Sequence, residues 1–320
     1  MTRYLGRRLL RGLLLLLGVS VLSFCLFQLA PGDYFDQLRL NPAISSQTVE
    51  ALRRQHGLDL PLPLRYGHWL ASIVRGDWGF SLAYNSPALP LLRERAVNTV
   101  ILTGPTIFLA WTIAVPLGLW ANGGRRWRSL LLAVSISGLL VLPDLLIILV
   151  LILFAAQFRI LPIGGMTSLN FDQMTLWSKL RDIAIHMVVP GAALVLAALP
   201  VLLSHVRTAV AEVFQDPFIA AARANGIPRL RLLVRYALPA AANPLITLLG
   251  FSIGTLLSSS LLVEAVVGWP GLGQLLYQAV LQRDLDIVVG AAMLSAVIYV
   301  SANFVADICL YISDPRIRQP

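Results

Sequence analysis

Apolar runs long enough to cross a bilayer recur through this chain, and they constrain its fold more than any motif does. The first covers about Leu9–Leu29. Others cover about Val97–Trp120, Ser129–Ala156 and Met187–Ser204, a stretch ending near Val267, and Ile287–Ile312. A helical span needs about 20 such residues, because each adds ~1.5 Å across ~30 Å of hydrocarbon. Hydrocarbon offers no water to the backbone, so each run must bond internally as a helix. The 320 residues are 57% hydrophobic and 13% charged, with a mean hydropathy of +0.76. That composition excludes a soluble protein. The expected fold is an all-α integral membrane protein with six transmembrane helices.

Charge orients these runs. The net charge is +9, from 25 basic and 16 acidic residues, and Lys179 is the single lysine. In a soluble chain this balance suggests nucleic acid. Here the arginines lie between hydrophobic runs and report topology instead, so no nucleic-acid partner is expected. With the N-terminus inside, the cytoplasmic segments hold 14 basic residues against three acids, Glu212, Asp216 and Asp314, while the outer segments hold 11 basic and 10 acidic residues. Both termini are therefore expected in the cytoplasm. A long extracytoplasmic segment, residues 31–96, follows the first helix, residues 1–30, and residues 97–320 form a five-helix core with a cytoplasmic loop at 209–238. The whole of 1–320 reads as one membrane domain in contact with lipid.

The first run is too long for the apolar part of a cleaved signal, and no small-residue cleavage site follows it, so it is expected to remain as a span. Shorter amphipathic segments are expected at about Ser46–Gln55, ended by Gly57, at Tyr66–Val74 and at Leu89–Asn98. A polar loop runs from Phe158 to about Ile185, and Gly268–Gly273 reads as a re-entrant or surface segment. Pro190 and Pro200 are expected to bend or open the fourth span. Cys25 and Cys309 fall inside apolar runs and read as packing residues, and the four histidines have no ligand spacing.

Between the fourth and fifth runs lies a polar, Arg-rich island, DPFIAAARANGIPRLRLLVRYALP, from Asp216 to Pro239. Asp216 suits a helix cap and Pro217 the first helical position, where no backbone donor is needed. Gly226 is a natural left-handed stop, and Pro228 opens a second helix bearing Arg229, Arg231 and Arg235. The small residues of the first helix permit close approach by another surface. This stretch resembles the cytoplasmic signature of ABC importer permeases: a Glu-Ala-Ala triplet, three residues, Gly, nine residues, then Ile-x-Leu-Pro. Ala220, Ala221, Ala222, Gly226, Leu238 and Pro239 stand at that spacing, with Ala220 in place of Glu and Tyr236 in place of Ile. The resemblance implies a coupling helix, including Asn225, that docks into a cleft on a separate ATPase subunit.

Further segments are similar to the dipeptide, oligopeptide and nickel branch of these permeases, in which the Glu of the triplet is commonly absent. They are Leu29–Asp33, Gly57-Leu58-Asp59 with Pro61, Arg75-Gly76-Asp77-Trp78-Gly79 with Ser81, Glu264–Gly273, and Asp307 with the tail Asp314–Arg318. Val267 stands where Phe is usual. The resemblance implies a B-type permease subunit of a peptide-class importer in the bacterial inner membrane. It also implies four partners: a homologous permease, two ATP-binding subunits and an extracytoplasmic solute-binding protein. A nickel or other small-solute importer fits the same segments.

Three acids lie within apolar runs, where an unpaired carboxylate costs several kcal/mol. Glu264 and Asp307 suit structural hydrogen bonding. Asp144, beside Pro143, fits equally a place on the translocation pathway or a structural bond between helices. On the residues alone, a secondary transporter or channel using Asp144 in a proton relay stays open, as does a scaffold without transport of its own. No catalytic residue or metal site is assigned. Lys179 has no glycine near it, so the chain carries no phosphate-binding loop, and ATP and Mg are expected on partner subunits only. The isolated, purified chain is therefore expected neither to bind nor to hydrolyse ATP; stoichiometric nucleotide binding would contradict that reading.

Overall fold

The computed structural model of the chain describes residues 2–29, 47, 50, 61–81, 83–122, 126–158 and 161–313. Most of the Ser46–Gln55 helix, the segments Pro31–Asp33 and Gly57–Asp59, and the tail from Asp314 lie outside these residues. The chain divides into two compact units, one of residues 100–269 with 299 onward, the other of residues 2–99 with 270–298.

The elements in order are α1 (Thr2–Leu29), α2 (Leu62–Val74), the two-residue strands β1 (Phe80–Ser81) and β2 (Ser86–Pro87), and α3 (Ala88–Ala121). Then come α4 (Arg126–Val141), α5 (Asp144–Phe158), α6 (Leu176–Val213), α7 (Pro217–Ala224) and α8 (Arg229–Arg231). A π-helical turn (Leu232–Ala237) leads into α9 (Leu238–Ala240), α10 (Ala242–Val267), α11 (Leu272–Gln282) and α12 (Leu285–Ser313). Among the described residues five helices, α1, α3, α6, α10 and α12, are long and apolar enough to cross a membrane, and α4 with α5 makes a sixth if that bent pair is one span.

Four boundaries differ from those read in the sequence. The expected third span is broken at Leu142-Pro143, and its halves bend by 95°. Pro143 lacks a backbone donor and biases the residue before it away from helix. Its carbonyl instead starts α5, accepting the N–H groups of Leu146 (2.9 Å) and Ile147 (3.2 Å). The fourth span is much longer than Met187–Ser204: α6 begins at Leu176, shortening the polar loop, and runs unbroken through Pro190 and Pro200. The amphipathic segment Leu89–Asn98 and the second span are one continuous helix, α3. Beyond Gly271 the segment read as re-entrant or surface continues into a regular helix, α11. Cys25 and Cys309 are free and exposed on their helices rather than packed inside.

In the unit of residues 100–269 and 299 onward, α6 is central and packs against α4, α5 and α10. Leu102, Ile148, Leu194 and Leu256 form one buried cluster together with Trp269. Trp269 is brought there by the end of α10: Gly268 turns left-handed at φ 74°, and the Trp269 N–H returns to the Glu264 carbonyl at 3.0 Å. Glu264 itself is fully buried.

The unit of residues 2–99 and 270–298 holds α2 along α1 through aromatic contact. Phe24 lies 5.5 Å from the Tyr66 ring, and the Ser20 and Tyr66 hydroxyls are 2.8 Å apart. Its core is Ala88, Leu92, Leu275 and Ile287. The Gly-Asp-x-Gly-x-Ser element forms the antiparallel β1–β2 ribbon, with Phe80 opposite Pro87 and Ser81 opposite Ser86. Two carboxylates that the sequence reading passed over hold it. Asp284 is buried and accepts the Ser81 hydroxyl (2.6 Å) and the Ala83 N–H (3.3 Å), while Asp286 accepts the Phe80 N–H (3.1 Å). Nearby, the Tyr84 hydroxyl donates to Gln278 Oε1 at 2.5 Å, and burial, reinforced by Asp284, pushes the phenol above its ordinary pKa.

Gly79 has φ +83°, and a Cβ there would lie 2.5 Å from Cγ of Asp286. Gly79→Ala is thus expected to cost at least the ~1–2 kcal/mol of left-handed strain and to displace Asp286 as well. Gly67→Ala, in open space on α2, should cost nothing. Thermal unfolding of the two purified variants checks the contrast; equal melting would contradict it.

Candidate functional site

The Arg-rich island folds as the sequence implies at its ends and differs in the middle. Asp216 precedes α7 in extended backbone (φ −68°, ψ 143°), and Pro217 takes the first helical position. The Asp216 carboxylate makes no capping bond. Its carbonyl starts the helix, accepting the N–H groups of Ile219 (3.1 Å) and Ala220 (3.3 Å). At the other end Gly226 is left-handed at φ +77°. Gly226 N–H bonds to the Arg223 carbonyl (3.0 Å) and Ile227 N–H to the Ala222 carbonyl (3.4 Å), the paired bonds that close a helix at a left-handed residue.

Pro228 stands just before the next helix rather than inside it, and α8 passes at once into the π-helical turn Leu232–Ala237. The sequence reading expected an ordinary helix here. Pro239 offers no N–H to the carbonyl four residues earlier, and a wider turn with bonds five residues apart relieves that mismatch. Leu232 and Ala237, five positions apart, both end on the buried side.

The two faces of α7 have different tasks. Ile219 is 0% exposed and Ala222 8% exposed, one turn apart, and both face inward. Ile219 packs with Val206 and Val210 of α6, Leu233 and Ala237 of the π-helical turn, and Leu245 of α10. Phe218 (45% exposed) faces outward, and so do Ala220, Ala221, Asn225 and Gly226. Leu238 is half-buried against the same cluster, and Pro239 is exposed. Ala222, expected at the docking surface together with Ala220 and Ala221, is buried within the chain's own packing.

A polar tether sits behind the corner. The guanidinium of Arg229 lies 5.6 Å from the centre of the Phe214 ring, and that of Arg223 lies 6.0 Å from it. Arg229 Nη2–H also donates to the Asn122 carbonyl at 2.7 Å. The Asn122 amide in turn donates to the carbonyls of Arg207 and Gly118, both at 3.1 Å. The corner after α7 is thus tied to the C-terminal end of α3 and to α6. Neither Phe214 nor Asn122 belongs to any motif spacing. The apolar pair Ile219 and Ala222, three apart, is the signal that marks the inner face.

Asp144 lies apart from this corner, at the first position of α5 after the Leu142-Pro143 break. It is half-buried, and its Oδ2 accepts the Ser259 hydroxyl of α10 at 2.9 Å. The structure does not bring it together with the residues of α7. Among the described residues no group of three or more His, Cys, Asp or Glu side chains is arranged to hold a metal ion.

These elements define a multi-span α-helical membrane protein with a short two-faced helix between two of its spans. The comparisons specify the class. Residues 114–319 match the model of the binding-protein-dependent transport system inner membrane component, and residues 1–98 match that of its N-terminal part. The chain belongs to this family. It is similar to the oligopeptide transport system permease protein AppB of Bacillus subtilis, at 31% identity over 99% of this chain and 100% of that one. It is also similar to the oligopeptide transport system permease protein OppB of Mycobacterium tuberculosis, at 29% identity over 99% of each chain. The fold resembles the solved MetNI methionine ABC transporter in an inward-facing conformation, with a TM-score of 0.56 at 19% identity, covering 70% of this chain and 96% of that one.

The protein is thus a multi-pass inner-membrane permease component of an ABC importer, with ATP hydrolysis residing on separate subunits. Family architecture implies paired permease, ATPase and solute-binding partners. The secondary carrier and the scaffold fall away with the family assignment.

Ala222→Trp is expected to break the chain's own packing, lowering folded yield several-fold, whereas Ala221→Trp should leave yield unchanged. Detergent-solubilised monodisperse yield measures both; equal losses would contradict the two-faced reading of α7.

Proposed function

We propose that this chain forms the translocation pathway of a peptide importer and passes the motion of a separate ATPase to it through residues 216–239. The observation that carries the coupling role is the two-faced α7, anchored by Ile219 and Ala222 while Ala220, Ala221, Asn225 and Gly226 stand outward. Small outward side chains let a cleft on the ATPase close around the helix backbone. Leu238 and Pro239 set where the following span begins. Peptide as cargo is supported by the names of AppB and OppB. The partners proposed are a homologous permease making a heterodimer, two subunits that hold ATP and Mg, and an extracytoplasmic solute-binding protein.

On this reading α4 and α5 together make one bent span, giving six spans and both termini in the cytoplasm. The excess of arginine in the short loops supports that orientation. Residues 1–320 act as a single permease domain, and Asp144 lines the pathway.

Cysteines introduced singly into a background lacking Cys25 and Cys309 test the arrangement. A thiol at Ala221 or Asn225 should cross-link to the ATPase subunit in the assembled transporter, and one at Asn85 should not. Thiols at Asn85 and Gln278 should react with impermeant reagent added outside, and those at Arg126 and Asn225 should react from the cytoplasmic side alone. Gly226→Val adds about 1–2 kcal/mol of strain at the corner and should lower uptake and solute-stimulated ATP hydrolysis together. No atom lies near enough to obstruct the new side chain, so the loss would report backbone conformation. Labelling of Asn225 from outside, or uptake at the parental rate in Gly226→Val, would overturn the assignment.

A further inference from the structure

Beside Asp144 lies a cavity of about 120 Å³ between α6 and α10. Ala197, Ala198 and Val201 of α6 and Phe251, Thr255 and Ser259 of α10 line much of it. Thr255 and Ser259, four residues apart, stand one above the other on the same face of α10. Their hydroxyl protons are already committed: Thr255 Oγ1 donates to the Ser252 carbonyl at 3.0 Å, and Ser259 Oγ to Asp144 Oδ2 at 2.9 Å. Ser252, one turn further along, is likewise committed, donating to the Leu249 carbonyl and accepting the Trp111 indole N–H. What this face offers a ligand is therefore oxygen lone pairs, on a wall of small and apolar side chains.

Asp144 stands behind Ser259, which lines the cavity, and holds its hydroxyl at 2.9 Å. It sits at the first turn of α5. Among the described residues the Ser259 hydroxyl is the one side chain that bonds to it, and no basic side chain pairs with it. A carboxylate so placed in an apolar setting attracts a cation strongly, because the surroundings screen it far less than water does. A ligand that matches these groups carries positive charge and N–H donors at one end and a small apolar body behind.

We infer that the Asp144–Ser259–Thr255 face is a subsite for a cationic N–H donor, of which the ammonium group at the amino end of a short peptide is the natural case. The inference deepens the proposal that Asp144 lines the pathway of a peptide importer and rests on that reading. The ammonium hydrogens bond Asp144 and the free lone pairs of Ser259 and Thr255, and the first side chain of the peptide lies against Ala197, Ala198 and Val201.

A charge-selective labelling experiment tests this on the assembled transporter in nanodiscs, in a background without Cys25 and Cys309. Thr255→Cys is reacted with a cationic trimethylammonium-ethyl and an anionic sulfonatoethyl methanethiosulfonate, and the ratio of rates is compared with that of a free thiol in solution. The account predicts a ratio in favour of the cation that exceeds the free-thiol value, falls about tenfold in Asp144→Asn, and is kept in Asp144→Glu. Trialanine should protect the thiol, and N-acetyl-trialanine should not. A ratio equal to that of the free thiol with Asp144 intact would overturn the subsite without any further variant, as would a ratio that Asp144→Asn leaves unchanged. If the charge preference depends on Asp144 and trialanine gives no protection, the cation subsite stands and peptide as its ligand fails.

Discussion

Inside hydrocarbon every backbone N–H and C=O must find a partner within the chain, and the whole structure depends on how that demand is met. Where the sequence is apolar and uninterrupted, as through α12, the helix meets it alone. Each interruption is closed by specific bonds. At Leu142-Pro143 the proline carbonyl accepts the first donors of α5, and at Gly268 a left-handed residue returns the Trp269 N–H to the Glu264 carbonyl. At Gly226 the same device ends α7 and turns the chain toward the next helix. Asp144 opens one of these breaks, and the segment proposed for coupling surrounds another.

The coupling segment gains its usefulness from having an inside and an outside. Ile219 binds α7 to the ends of α6 and α10, and Arg229 ties the corner through Asn122 to the end of α3. A push on the outward residues of α7 therefore reaches several spans as a displacement of packed side chains, not as a bend in a loose loop. On the proposed reading, that rigidity lets the segment pass the motion of a separate ATPase to the spans.

Much of this was legible in the sequence, because the signals were strong and local. The apolar runs marked the spans, Pro217 and Gly226 marked both ends of α7, and the spacing from Ala220 to Pro239 pointed to the family. Spacing within a motif does not say which side of a helix faces its own protein; the apolar step from Ile219 to Ala222 carried that information. The Asp216 side chain makes no cap, and its carbonyl accepts the first donors of α7. Long-range pairings left no local trace. Asp284 and Asp286 hold the ribbon at Phe80 and Ser81, and Ser259 reaches Asp144, across more than a hundred residues of chain. The run from Ser129 to Ala156 read as continuous because hydropathy averages over a proline that geometry does not.

The central claim is that α7 belongs to this chain on one side and to the ATPase on the other. Backbone hydrogen exchange over residues 217–227 tests it most directly, measured on the permease pair alone and again in the full complex with its ATPase subunits. The account predicts a helix already formed in the permease pair, with measurable protection from its anchored face, and a further slowing when the ATPase is present. Unchanged exchange on assembly, or a segment unprotected until the ATPase arrives, would contradict it.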